Sequence, residues 1–470
     1  MSRIILIILL IGIVLFQIPG EKVPINEGTM GHGLFFRQVA IEFVDVIDRD
    51  SYNIWQLQHI MPFALVHVVY VVLGFDLEPD TLMSGMLIIN LLFLGLTVYW
   101  FFRITKKLRL SSELEALAFV LVFFNFFILK DTWYHPFTTE MAAMMIGMGQ
   151  VNYFVRYEKS KLFLVSLVGA FVSPFLLPIG LCLWVFPGDK LELYTGEKPK
   201  TVFPVIATLL LMFLLIGLAN WAGVLDGSSS EISWFFLSLV SMMIFLLWVM
   251  MQNTVDWVKS WKMLSHKLKP VKIMSFFGVL LAASLLLFLL SGSNSNVSLR
   301  SLFQAFIKGL LNYPLDFITG HLMYYGLLVV TALVFMSRII KEAALLGIGF
   351  TLAMVLMLFF ALHPNSTTMV PFLPLLVLAL VKGIRRYKLQ WKEVLIAGGI
   401  NLLLSMFWVR INVPGVEEAM LEGIKDSFPV QRYWMHFGHV QSLPVYGVVL
   451  VIGIVLFWGV EMRRRRYVRL

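Results

Sequence analysis

Residues 162–187 read LFLVSLVGAFVSPFLLPIGLCLWVFP, and the way this stretch folds sets the path of the whole chain. Its apolar character predicts a helix embedded in a membrane. Ser173, Pro174 and Pro178 stand near its middle, where proline removes a backbone donor and breaks a helix. At about 1.5 Å per residue the stretch is too short for two full crossings. We therefore predict a re-entrant segment or a short helical hairpin.

The composition of the remaining chain also indicates a membrane. Of 470 residues, 59% are hydrophobic and 14% are charged. A soluble domain could not bury so much apolar surface, so an integral membrane protein is predicted. Backbone groups in hydrocarbon must be hydrogen-bonded internally, and these apolar runs are too long and too uniform for barrel strands. The predicted fold class is therefore all-α, as a polytopic helix bundle.

Windows of about twenty apolar residues predict about thirteen or fourteen membrane segments. They lie at roughly 4–19, 81–102, 114–130, 139–155, 162–187, 201–224, 232–252, 273–291, 322–337, 343–362, 367–381, 394–409 and 444–460. We divide the chain into an N-terminal module, 1–200, with a long outer loop over 20–80, and a C-terminal module, 201–470, expected to be the more variable. The first segment is interpreted as a retained anchor, because FQIPG after it lacks the small residues of a signal cleavage site.

The formal charge of +9 lies mostly in basic clusters beside the predicted spans. They are centred on 103–109, 156–161, 259–272, 382–388 and 463–466. The positive-inside rule places such clusters in the cytoplasm, which requires the hairpin at 162–187 and puts both termini inside. We predict a multi-pass protein of the cell membrane, most simply the bacterial cytoplasmic membrane. The clusters meet membrane lipid headgroups, so no nucleic-acid partner is expected.

The first outer loop carries acids on an amphipathic stretch, GLFFRQVAIEFVDVIDRDSYNIWQLQHIMP over 33–62. Its polar residues recur at helical spacing and form one stripe: Gln38, Glu42, Asp45 and Arg49. This predicts a helix lying in the membrane interface. Its acids are either solvated or part of a site, and the grouping of Asp45, Asp48 and Asp50 favours a site.

A second acidic loop, KDTWYHPFTTE over 130–140, follows the third span. Asp131, His135 and Glu140 would stand at the outer end of the bundle. Glu140 alone could serve its helix, whose N-terminus favours a carboxylate, and Asp131 could pair with Lys130. If the early helices pack together, however, the two loops converge in one polar pocket.

These features resemble the GT-C superfamily of membrane glycosyltransferases. The resemblance rests on a long acidic outer loop ending in the stretch from Tyr52 to Pro62, an outer Thr139–Glu140 helix start, and HPNSTTMVPFLPLLVLAL from His363. It is best over the N-terminal seven segments. It implies transfer of a sugar from a polyprenyl-phosphate donor to a lipid, glycan or protein acceptor outside the cytoplasm, within the cell envelope.

The resemblance also implies roles for individual residues. The catalytic carboxylate in the first loop would be Asp45, or else Asp48 or Asp50, and the second acid would be Glu140 or Asp131. Basic and imidazole side chains on the outer face would bind the donor phosphate: Arg49, His135, His363 and Arg410. The chain lacks the tight acidic pair of the clearest members, and Asp48-Arg49-Asp50 has the spacing only with an arginine between. That arginine weakens a metal-binding assignment, so a divalent cation, Mg or Mn, is only one option for the cofactor, and the metal dependence stays open.

Two other functions compete with the enzyme. A transporter or flippase of lipid-linked glycans should carry ionisable residues within its spans and show repeated halves, and the sequence shows few of the first and none of the second. The other alternative is a non-catalytic subunit with the same fold, which the missing acidic pair keeps open.

Overall fold

The fold is given by a computed structural model that describes residues 2–23, 29, 33–48, 52–195, 202–226, 229–291, 304, 307, 309–311, 313–410 and 443–468. Within these ranges the chain forms 21 α-helices and no strand. The predicted all-α fold class is confirmed.

The first ten helices belong to the N-terminal part of the chain. They are α1 (Ser2–Gln17), α2 (Gly33–Asp48), α3 (Ile54–Leu57), α4 (Met61–Leu73), α5 (Pro79–Leu108), α6 (Ser112–Phe123), α7 (Thr132–Tyr134), α8 (Glu140–Val155), α9 (Lys159–Gly169) and α10 (Leu176–Val185). A π-helical turn, Phe127–Asp131, leads into α7.

The remaining helices complete the bundle. They are α11 (Val202–Trp221), α12 (Ser229–Met251), α13 (Trp257–Lys267), α14 (Pro270–Leu290), α15 (Asp316–Tyr325), α16 (Leu327–Val334), α17 (Met336–Leu346), α18 (Ile348–Ala361), α19 (Leu373–Ile384), α20 (Trp391–Ser405) and α21 (Leu443–Val468). A 3-10 helix, Ser366–Phe372, runs into α19.

Six helical stretches are long and apolar enough to cross a membrane. They are Pro79–Leu108, Val202–Trp221, Ile232–Met251, Pro270–Leu290, Ser366–Ile384 and Leu443–Arg465. A seventh is formed if α6 and Phe127–Tyr134, bent by 57°, count as one. The described residues are therefore compatible with a multi-pass membrane protein.

The sequence predicted about thirteen or fourteen segments, and the difference in number has a physical cause. Several predicted segments are short or interrupted helices. Gly326, at φ 62°, separates α15 from α16, and Gly347, at φ 108°, separates α17 from α18. Such left-handed backbone suits glycine, which has no Cβ to clash. Each break leaves helices too short to span alone.

The stretch 162–187 folds as an antiparallel helical hairpin, as predicted. The chain turns between α9 and α10, and the ring of Phe163 packs on that of Trp184 with centroids 4.7 Å apart. Nearer the turn, Gly180 lies against Ser166. The side chain of Gln150, on α8, donates to the Leu176 carbonyl in the first turn of α10 at 2.7 Å and so ties α8 to the hairpin.

The bundle has two ends, and different side-chain contacts hold the helices together at each. At the basic end, Arg3 at the start of α1 pairs with Glu115 at the start of α6, with Nε to Oε1 at 2.5 Å. At the other end, which we call the site end, the Gln17 amide donates to the Phe407 carbonyl at 2.7 Å. Helix α8 connects the two ends, because it begins at Glu140 beside the 130–140 loop and finishes near Arg103. Which end faces the cytoplasm stays a prediction.

Candidate functional site

The site end is shaped by a bend after α6. The Asn125 amide donates to the Val122 carbonyl at 2.8 Å, and its side-chain oxygen accepts from the Ile128 N–H at 3.0 Å. One side chain thus bridges the break and starts the π-helical turn. Such turns are rare in proteins as a whole, but those that occur are often at functional sites. The turn places Lys130 and Asp131 inside the bundle, with 4% and 3% of their surfaces exposed.

Asp131 is held by a tyrosine from the C-terminal half of the chain. The Tyr324 hydroxyl, on α15, donates to Asp131 Oδ2 at 2.5 Å. The Tyr324 ring is fully buried and stacks on Phe127, with ring centroids 5.7 Å apart. This hydrogen bond fixes the carboxyl group of Asp131 in a site shielded from water.

Lys130 is paired with an acid of the first predicted outer loop. Its Nζ lies 2.9 Å from Glu21 Oε1, so the adjacent Asp131 is not its partner in this contact. The neighbouring Lys22 donates to the Ile18 carbonyl at 2.8 Å, which caps the end of α1. Burial, and next the charge of Lys130, lower the pKa of the Lys22 ammonium to about 8. Two ammonium groups therefore stand beside one another at this end.

Glu140 lies at the start of α8 on the same side. One of its oxygens, Oε2, is shielded from solvent and has no hydrogen-bond partner among the described residues. The carboxylate is close enough to act electrostatically on both Tyr324 and Tyr325. His135 lies between Asp131 and Glu140 in the sequence and is buried. Its backbone N–H donates to the Asp131 backbone carbonyl at 2.8 Å. We call this group the polar cluster, formed by Glu21, Lys22, Lys130, Asp131, His135, Glu140, Tyr324 and Tyr325.

A histidine on α15 ties the polar cluster to the 363–372 turn. His321 Nε2 is 2.9 Å from the Ala361 carbonyl, which only accepts, so this nitrogen is assigned the proton. Its Nδ1 then accepts from the Ser366 hydroxyl, at 2.9 Å. The Tyr325 hydroxyl donates to the Ser366 carbonyl. These contacts hold α15, and with it both tyrosines, against the turn.

The aspartates of the first predicted outer loop lie outside the polar cluster, as far as the structure describes them. Asp45 and Asp48 are exposed on α2, whereas Asp131 is buried. The predicted helix is present, but its backbone is kinked at Glu42, with φ −127° and ψ 49°. Helix α2 buries its opposite face, including Val39, and packs on α4, so that face contacts protein. Asp50 and Arg49 lie outside the described residues.

The other predicted phosphate ligands differ in their surroundings. Burial lowers the pKa of His363 to about 4, so its ring is neutral at pH 7 and is not a cation for a phosphate. Its Nδ1 accepts the Asn365 N–H at 3.1 Å. Arg410 is exposed at the end of the stretch that follows α20. Among the predicted residues, then, Asp131, His135 and Glu140 come together.

Sequence reasoning missed Glu21, Lys22 and the two tyrosines. Glu21 and Lys22 directly follow the first apolar run, and Lys130 and Asp131 directly follow the third. An acid and a base therefore stand at the same end of each of two spans. This pattern could have indicated that the acid of one span pairs with the base of the other. Tyr324 and Tyr325 stood at the edge of a predicted span, where a tyrosine is usually an interfacial anchor.

The polar cluster offers carboxylates, ammonium groups, phenols and an imidazole within one shielded region. Among the described residues, no group of three or more histidine, cysteine or acidic side chains is arranged to hold a metal. The chain matches no family model, and comparisons with curated proteins and with solved structures find no match either. The chemistry of the cluster therefore carries the functional argument.

Proposed function

We propose that the protein is a membrane glycosyltransferase of the GT-C type, which passes a sugar from a polyprenyl-phosphate donor to an acceptor outside the cytoplasm. The observation that supports it is the meeting of Glu21, from the first predicted outer loop, with Lys130 and Asp131 from the second. A buried carboxylate beside ammonium groups at the membrane surface suits a substrate that carries both a hydroxyl and a phosphate.

The reaction assigns a role to each kind of group. An acceptor oxygen bonds to the anomeric carbon while the bond from that carbon to the phosphate oxygen breaks, and the electron pair leaves with the phosphate. The hydroxyl proton passes to a carboxylate acting as general base, for which Asp131 and Glu140 are the candidates. Lys22 or Lys130 meets the negative charge of the leaving phosphate. Asp45 and Asp48 remain the alternative bases, on the interfacial helix.

The test is donor turnover by purified protein in detergent, with a radiolabelled polyprenyl-phosphate sugar. We expect Asp131→Asn or Glu140→Gln to lower transfer or donor hydrolysis by about 10²–10⁴-fold, the usual contribution of a general base. Asp76→Asn, at an exposed acid of the first predicted outer loop and outside the polar cluster, is the matched control and should keep full activity.

One result would move the general base to another helix, and a second would count against the proposed function. Loss of turnover in Asp45→Asn with full activity in Asp131→Asn and Glu140→Gln would move the base to α2. No hydrolysis or transfer by the unmodified protein with any polyprenyl-phosphate sugar, but exchange of the lipid between leaflets in sealed vesicles, would favour the transporter instead.

A further inference from the structure

The basic end of α5 and α8 encloses a cleft of about 690 Å³. Its lining is almost entirely cationic: Tyr99, Arg103, Lys106, Lys107, Arg109 and Arg156. It lies at the opposite end of α8 from the polar cluster, about 24 Å away for a helix of 16 residues. The cleft is therefore separate from the site proposed above.

The walls of the cleft are firmly positioned. The Trp100 ring on α5 packs edge-on against Tyr153 on α8, with centroids 5.9 Å apart. Gly149 allows this approach, because a Cβ there would lie 2.8 Å from the Trp100 ring. Arg109 ends α5 with a left-handed backbone, at φ 52°, which few side chains adopt. The basic side chains thus extend from a rigid pair of helices.

The positive charge in the cleft is poorly neutralised. Glu158 is the acid at its edge, and its Oε1 lies 2.5 Å from Arg156 Nε and 3.9 Å from Arg103 Nη2. Lys161 also pairs with Glu158, at 2.7 Å. Lys106, Lys107 and Arg109 are exposed and have no carboxylate within ion-pair distance among the described residues, so all three can contact a bound anion.

An apolar track leads into the cleft along one face of α5. Its residues follow at steps of three or four, the period of a helix face, and their side chains are exposed by 44–61%. They are Ile88, Leu92, Leu96 and Tyr99, and the next positions on the same face are Arg103 and Lys106. A soluble anion would not pack against these apolar side chains, whereas the hydrocarbon chain of a lipid would.

We propose that this cleft binds the phosphate headgroup of an anionic phospholipid whose acyl chain lies along the apolar track of α5. A headgroup with two phosphates fits the number of cations best. Lys106, Lys107 and Arg109 contact the phosphates, and Tyr99 stands at the boundary between headgroup and chain, where tyrosine is favoured.

Native mass spectrometry of delipidated protein tests the proposal with three probes: cardiolipin, phosphatidylcholine and inorganic pyrophosphate. The variant carries Lys106→Gln, Lys107→Gln and Arg109→Gln. The matched control carries Lys262→Gln, Lys269→Gln and Lys272→Gln, three exposed cations outside the cleft. Each basic residue near a lipid surface contributes about 1 kcal/mol, so the cleft variant should weaken cardiolipin binding by at least about tenfold. The control variant should stay within about twofold, because Lys262, Lys269 and Lys272 do not line the cleft.

Each other outcome overturns the proposal. Equal weakening in both variants would mean that only net charge matters. Pyrophosphate that binds as tightly as cardiolipin, or displaces it, would make the cleft a site for soluble anions. Equal binding of phosphatidylcholine, or no lipid adduct at all, would exclude an anionic headgroup. Thermal unfolding of both variants checks that they are folded.

Discussion

At the scale of single residues, Asp316 is the most unusual group in the described part of the chain. It is fully buried at the start of α15, and its Oδ2 has no hydrogen-bond partner among the described residues. Thr319 donates weakly to Oδ1, at 3.5 Å. Burial raises the pKa of Asp316 to about 7, and the Thr319 hydrogen bond opposes this only in part. Burial therefore favours the neutral, protonated form of the Asp316 carboxyl group.

Asp316 should make stability depend on pH. In the folded protein it holds its proton up to a pH of about 7, whereas an unfolded aspartate releases it near its ordinary value of 3.8. Between pH 3.8 and about 7 the folded state binds more protons than the unfolded state does. The stabilisation by protonated Asp316 is therefore complete below pH 3.8 and is lost as the pH rises through about 7. We expect Asp316→Asn to raise the melting temperature at pH 8 and to change it little near pH 4.

Thermal unfolding followed by tryptophan fluorescence at several pH values measures this effect. A variant whose melting temperature falls equally at all pH values would show that the buried acid has a structural partner instead.

At the scale of elements, the helical hairpin could be predicted because proline acts locally. The breaks near Gly326 and Gly347 could not, because whether a glycine interrupts a helix depends on what packs against it. The kink of α2 at Glu42 could not be predicted from the sequence either. Periodicity predicted which face of α2 is polar, but the backbone deviation arises from contacts that a sequence pattern does not contain.

Close packing inside the hairpin gives a test of the α9–α10 contact. A Cβ at Gly180 would lie 1.8 Å from Ser166 Oγ and 2.7 Å from Gln150 Nε2. Gly180→Ala should therefore destabilise the protein by about 1–3 kcal/mol, the usual cost of overpacking. Gly278→Ala, on α14, is the control, because nothing lies within 4 Å of its Cβ position.

The control should be neutral or stabilising by about 0.5–1 kcal/mol, since alanine favours a helix more than glycine does. Chemical or thermal unfolding in one detergent measures both variants. A Gly180→Ala protein as stable as the unmodified one would mean that the two helices do not touch in this way.

At the scale of the whole molecule, the candidate site depends on partners far apart in sequence. Lys130 pairs with Glu21, and Asp131 with Tyr324. The sequence predicted that the acidic loops converge, and the 130–140 loop does meet the first loop. It did not predict that Glu21 would be the acid involved, because the choice among several acids on one loop is made by tertiary packing.

The predicted sidedness of the molecule can be tested with its single cysteine removed. Cys182 is buried, so Cys182→Ala gives a background without reactive thiols. In that background, Asp45→Cys should react with a membrane-impermeant maleimide on intact cells, and Lys262→Cys only after the membrane is opened. Both side chains are exposed in the structure, so burial does not confuse the result. The reverse pattern would invert the topology.

The first helix is attached to the bundle at both of its ends. Arg3 donates twice to the Glu115 carboxylate, and Gln17 donates to the Phe407 carbonyl. Proteolytic trimming of α1 would leave Glu115, which is 6% exposed, with the Thr105 hydroxyl as its remaining hydrogen-bond donor among the described residues. A buried carboxylate without its guanidinium partner is costly, so α1 stabilises a charge that lies 112 residues further along the chain.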